Sequence, residues 1–217
     1  MAKSNGSGGG LYRILEWIMW IAYINLLWVG FSLLGLIVLG VFPATVAGFT
    51  VIRGLLMKNT DTPIIKTFFR TYKNEFFKSN AIGFIFVVVG YILYLDFVFI
   101  GNINGLLFYV LQIGLVFVSL VYLIALLYIM PVYVHFDLNF TRYFKQAIQI
   151  GIFSPLMTIA MVLGLFIVYF LITLIPGLIP LFAFGASAFV IMACGLFAFH
   201  RLENKQRLLN EPKEKKE

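Results

Sequence analysis

The stretch that most constrains this chain is Leu106–Val134, 29 consecutive residues without a Lys, Arg, Asp or Glu. As a helix it would rise to about 43 Å. The hydrocarbon core of a bilayer is about 30 Å thick and takes about 20 apolar residues to cross. The run is therefore long enough to cross with tilt, and too apolar for a helix that turns one face to water. Further apolar runs follow one another along the chain, separated by short polar connections. That is the pattern of a multi-span membrane protein.

Composition points the same way: 62% of the 217 residues are hydrophobic and 12% are charged, where a soluble domain carries about 25% charged residues. Lipid offers the backbone no hydrogen-bond partners, so only helices and closed barrels cross it. Barrel strands alternate in polarity over about ten residues, whereas Phe84–Tyr94 and Met161–Ile172 are apolar on every face. The expected fold is all-α: a bundle of about six transmembrane helices with an amphipathic cytoplasmic helix and both termini inside. A net charge of +7 does not imply nucleic acid here, because the basic residues sit in connections and the tail, where they face anionic lipid. Cys194 is the single cysteine, which excludes an intrachain disulfide and a thiolate metal cluster. The first apolar run, Ile14–Val41, is too long for a signal h-region and reads as a retained anchor.

Three regions are expected: a flexible Gly/Ser-rich leader at 1–11, a single transmembrane domain at 12–200, and a basic cytoplasmic tail at 201–217. The first span starts at the polar edge Tyr12, Arg13 and Glu16, with Trp17 and Trp20 in the interfacial belt, and runs to about Leu39. After a turn at Gly40–Pro43, Ala44–Leu56 is either a short span whose Arg53 snorkels or a re-entrant half-helix. Thr62 then Pro63 reads as a helix start. Ile64, Ile65, Phe68, Phe69, Tyr72, Phe76 and Phe77 recur at helical spacing, with Lys66, Arg70 and Lys73 largely off that stripe. Pro63–Ser79 is thus expected as one amphipathic helix lying at the membrane surface, packed under the bundle, or docked to a partner.

Further spans are expected at Asn80 to about Asp96, at Leu106–Val134, at a run ending near Ile175 and at one ending near Phe199. Outer turns fall at Phe97–Gly105 and at Pro176, Gly177 and Pro180. The second inner connection repeats an aromatic stripe in Phe140, Tyr143, Phe144, Ala147 and Ile148. With this layout all 16 Lys and Arg residues lie on the inner side, which sets the orientation by the positive-inside rule. Ala44–Tyr94 and Leu106–Ile175 share one order of elements, either as a repeat or as common hairpin grammar.

Reactive groups are sparse. His135 and His200 sit at inner span ends without a second ligand at metal spacing. No Ser, His and acid constellation lies within the spans, and the run Gly8–Gly10 belongs to the leader rather than to a phosphate loop. No enzyme activity, cofactor or metal is expected. The candidate functional polar residues are Asn25, the deepest, with Thr45 and Asp96. Interhelical hydrogen bonds of about 0.6 kcal/mol each are reason enough for a buried Asn25. Asp96 near the outer edge suits either a cation or a helix end. Phe68, Phe69, Arg70, Lys73 and Phe76 are the candidate contacts for membrane surface or partner.

The motifs Tyr12-Arg13, Asn25-Leu26-Leu27-Trp28 and Pro43-Ala44-Thr45, continued by Phe68-Phe69, Lys73-Asn74 and Phe76-Phe77-Lys78, resemble those of the YesL-like family of bacterial integral membrane proteins. The resemblance covers nearly the whole chain. It implies a multi-pass protein of the bacterial plasma membrane. Family members stand beside genes for carbohydrate uptake and breakdown in Gram-positive bacteria. The resemblance therefore implies an accessory or regulatory role beside sugar-transport permease subunits, and it carries over no catalytic residue. The alternative is a small-solute channel or transporter in its own right. Either reading is compatible with a homo-oligomer.

Overall fold

Without water to bond their backbones, the apolar runs fold into helices. A computed structural model describes residues 8–58, 63–103 and 105–214, with the backbone alone for 8–11 and 205–214. Most of the expected leader, the Thr62 helix start, Asn104 of the outer turn and residues 215–217 lie outside the described residues. The helices are α1 (Gly8–Leu34), α2 (Val41–Leu56), α3 (Ile64–Asn74), α4 (Phe76–Ile100), α5 (Leu106–His135), α6 (Phe140–Phe153), α7 (Pro155–Leu174) and α8 (Ile179–Glu214). A single 3-10 turn, Pro176–Leu178, joins α7 to α8. Five helices (α1, α4, α5, α7 and α8) hold stretches long and apolar enough to cross a membrane, and α2 is a shorter apolar helix of 16 residues. The all-α membrane bundle read from the sequence is the fold observed.

The long charge-free helix α5 is not the centre of the bundle. That place belongs to α2, whose Pro43, Ala44, Val46, Ala47, Gly48, Phe49, Val51 and Ile52 are all buried. Small residues let neighbouring backbones approach, and α2 packs against α1, α3, α4, α5 and α8. By contrast α7, larger-chained and longer, buries Met161 alone. The start of α2 meets only the first part of α4. Phe42 packs where a Cβ on Gly83 would come within 2.2 Å of its ring, and Asn80 Nδ2 donates to the Leu39 carbonyl at 3.0 Å. Beyond Gly83, α4 runs on to Ile100, about 25 Å further.

Three boundaries differ from the sequence expectation, and one that the sequence left open is set. The first span stops at Leu34 rather than near Leu39, because Leu36 and Ile37 take left-handed backbone (φ 56° and 65°) and turn the chain. Hydropathy does not register that turn, since its residues are apolar too. The amphipathic segment 63–79 is two helices, not one: α3 ends at Asn74, Glu75 bends the chain, and Phe76 opens α4. Pro63 itself is extended, one residue before the first helical one. At the far end α4 continues to Ile100, so Asp96 lies within the helix rather than at its edge. The fifth span begins at Pro155, after α6 has ended at a break on Ser154.

Both amphipathic helices fold back along the helix before them. The first turn of α3 lies beside Gly54 and Leu55 of α2, while its end lines one cavity with Val46 and Thr50. Helix α6 does the same along α5, with Gly151 placed so that a Cβ would come within 2.1 Å of Ile124. The order apolar helix, returning amphipathic helix, break, long apolar helix thus occurs twice, with α2 and then α5 in the first place.

Candidate functional site

The expected polar residues part company in the structure. Asn25 is 1% exposed, and both ends of its amide are engaged. Its Nδ2 donates to the Pro180 carbonyl at 2.6 Å, and its Oδ1 accepts from the N–H groups of Phe184 and Gly185 at 2.8 and 3.0 Å. In a regular helix the Phe184 N–H would bond the Pro180 carbonyl, so one amide from α1 occupies a rung of the α8 ladder. Nearby, the Trp28 indole N–H donates to Thr45 Oγ1 at 3.0 Å, and the Thr45 hydroxyl donates to the Val41 carbonyl at 2.7 Å. The Trp28 ring stacks on Phe184, centroids 4.7 Å apart. The Asn-Leu-Leu-Trp and Pro-Ala-Thr motifs are therefore one knot tying α1 and α2 to the start of α8. Asp96 stands apart, exposed on α4, and does not join Asn25 and Thr45 around one path.

On α3, Phe68 is fully buried against α1, with its ring 5.1 Å from that of Phe31. In this fold it touches neither lipid nor partner, which corrects its place among the candidate contacts. The reason is that α3 docks through that side onto the groove between α1 and α2. Tyr72 shares the groove, its hydroxyl donating to the Phe31 carbonyl at 3.2 Å, and burial pushes its phenol pKa up, keeping that donor protonated. Phe69, Arg70 and Lys73 remain exposed. Phe76 is half-buried at the head of α4, edge-on to Tyr72 at 5.8 Å.

A second polar constellation was not among the sequence candidates. The ends of α2, α3 and α5 and the starts of α4 and α6 line an open cavity of about 360 Å³. Arg53, Lys78, Glu75, His135, Asp137, Tyr133 and Tyr143 are among its walls. Arg53 Nε donates to His135 Nδ1 at 3.3 Å, which leaves the imidazole proton on Nε2. The Tyr133 hydroxyl donates to the Glu75 carboxylate, and the Tyr133 ring packs on Tyr143 at 4.8 Å. No carboxylate among the described residues offsets the half-buried Arg53 guanidinium. The signal for this site is dispersed: each residue reads singly as an interfacial charge at a helix end, and only the convergence of those ends makes a cavity. A larger groove of about 530 Å³ between α1, α2 and α3 is lined mainly by apolar side chains such as Trp20, Val51 and Ile64. It offers contact rather than chemistry. Among the described residues there is no group of three His, Cys, Asp or Glu side chains able to hold a metal ion.

Comparison with known proteins places the chain in context. Residues 21–97 match the family model described as "Protein of unknown function, DUF624". That match covers the second half of α1, all of α2 and α3 and most of α4, hence the whole knot on its α1 and α2 side. Three Bacillus subtilis (strain 168) proteins, each described as uncharacterized, are similar over most of their length. YteU is 35% identical over 88% of this chain and 85% of its own. YesV is 39% identical over 89% and 93%, and YesL is 32% identical over 95% and 97%. No solved structure matches. The chain belongs to the YesL-like DUF624 family of helical membrane proteins.

Proposed function

We propose that this protein is a non-enzymatic component of the bacterial plasma membrane that works by docking, as an accessory or regulator of a carbohydrate-uptake system. The observation that supports this best is the division of labour among its polar and basic side chains. Asn25 and Thr45, the deep polar residues a solute path would need, spend their hydrogen bonds on α8, Trp28 and the α2 backbone. Phe69, Arg70 and Lys73 on α3 stay exposed. The bias of all 16 basic residues supports a cytoplasmic position for that face and for both termini. Aromatic residues and arginine are enriched at protein interfaces, which supports Phe69 and Arg70 as contacts. The neighbourhood of carbohydrate genes that marks the family supplies the class of partner.

The test is a tagged pull-down from native membranes with mass spectrometry of what co-purifies. Sugar-permease subunits should be recovered with the unaltered chain and lost with the triple variant Phe69→Ala, Arg70→Ala and Lys73→Ala. Recovery of this protein alone, under conditions that keep another membrane complex intact, would contradict the reading.

A further inference from the structure

The cavity between α2, α3, α4, α5 and α6 has a chemistry of its own, independent of the docking reading. Its walls bring two fixed cations, Arg53 and Lys78, to one hollow of about 360 Å³. Among the described residues Arg53 spends only Nε, on His135, so the terminal nitrogens of its guanidinium fork have donors to spare there. Removing a guanidinium from water without an opposite charge is costly, and bound anions commonly offset that cost. Two carboxylates, Glu75 and Asp137, also line the cavity and bring negative charge to it, but among the described residues neither pairs with Arg53 or Lys78: Glu75 accepts the Tyr133 hydroxyl, and Asp137 is exposed beyond the end of α5. Around the cations stand further hydrogen-bonding groups, Thr71 and the Tyr143 phenol, with the Phe136 ring as an apolar wall.

From this arrangement we infer that the cavity is a binding site for an oxyanion of the phosphate type, held between Arg53 and Lys78. Two sources present that chemistry: a small soluble phosphate compound, and the headgroup of an anionic phospholipid. The guanidinium fork suits the paired oxygens of a phosphate, while the lysine acts as a point charge. Glu75 sits at the bend between α3 and α4 and Tyr133 in the last turns of α5. The Glu75–Tyr133 hydrogen bond already ties that bend to α5; a bound oxyanion would add a tie between the end of α2, through Arg53, and the start of α4, through Lys78.

The test uses the full chain in nanodiscs. In discs of phosphatidylcholine alone, inorganic phosphate is titrated by calorimetry, with chloride as the control. In discs of equal parts phosphatidylcholine and phosphatidylglycerol, retention of the anionic lipid through detergent washing is measured. Saturable phosphate binding in the first discs, weakened at least about tenfold by Arg53→Gln and also weakened by Lys78→Gln, establishes a soluble oxyanion site. Absence of that binding, with phosphatidylglycerol retained by the unaltered chain and shed by both variants, establishes a headgroup site. Neither signal, or a signal that both variants keep, overturns the inference. Should Arg53→Gln fail to fold, Lys78→Gln decides alone, because Lys78 is exposed and outside the packed core.

Discussion

Two polar constellations sit in this bundle, and they are built on opposite terms. The knot of Asn25, Trp28 and Thr45 is closed: Asn25 and Trp28 bond to other helices, and the Thr45 hydroxyl bonds its own helix at Val41. The cavity around Arg53, Glu75 and His135 is open, with a cation whose donors exceed its partners. Burial is thus a poor guide to chemistry. The buried Asn25 is architecture, because a buried amide must find partners and here α8 engages both its nitrogen and its oxygen. The less buried cluster around Arg53 keeps capacity to spare.

Substitutions on the closed side should act on stability, and those on the open side should not. The largest effect is expected at Gly185, where a Cβ would fall 2.5 Å from the Ile21 backbone oxygen. Backbone cannot swing aside as a side chain does, so Gly185→Ala should cost about 2–3 kcal/mol, read from denaturant unfolding in detergent. Next comes Asn25→Leu. It removes three hydrogen bonds to α8, but the freed Phe184 N–H and Pro180 carbonyl can close on each other, so about 1–2 kcal/mol is expected by the same assay. If Asn25 served a solute path instead, this variant would change flux in liposomes and leave stability near that of the unaltered chain. Trp28→Phe keeps the stack on Phe184 and gives up the bond to Thr45, a loss of about 0.6 kcal/mol. On the open side Lys78→Gln should stay within about 0.5 kcal/mol in unfolding.

How much of this was legible in the sequence follows from the same contrast. Hydropathy sees transfer into lipid, and it found the long helices because Leu106–Val134 and its counterparts carry that signal residue by residue. It does not see packing between helices. The burial of α2 depends on Ala44, Ala47 and Gly48, small residues that score modestly on apolarity yet let five helices close in. The turn at Leu36 and Ile37 was hidden for a related reason: apolar residues with positive φ leave no mark in composition. The stripe through Phe68 and Tyr72 was legible as an amphipathic face, but a stripe does not say whether lipid, a partner or the bundle covers it, and for Phe68 the bundle does. Asn25 was legible as a candidate, while its partners at Pro180, Phe184 and Gly185 lie too far along the chain for any local pattern to link them. The cavity was the least legible, since its charges come from separate helix ends.

The most direct test of the closed and open account is thermal unfolding of Asn25→Leu and Lys78→Gln side by side, in phosphatidylcholine discs and in discs half phosphatidylglycerol, each with and without phosphate. The account predicts that Asn25→Leu unfolds at a lower temperature and still gains stability from the oxyanion, whether dissolved or on the lipid. It predicts that Lys78→Gln unfolds with the unaltered chain and gains less from the oxyanion. Unfolding of Asn25→Leu at the temperature of the unaltered chain, or a full oxyanion gain in Lys78→Gln, would contradict it.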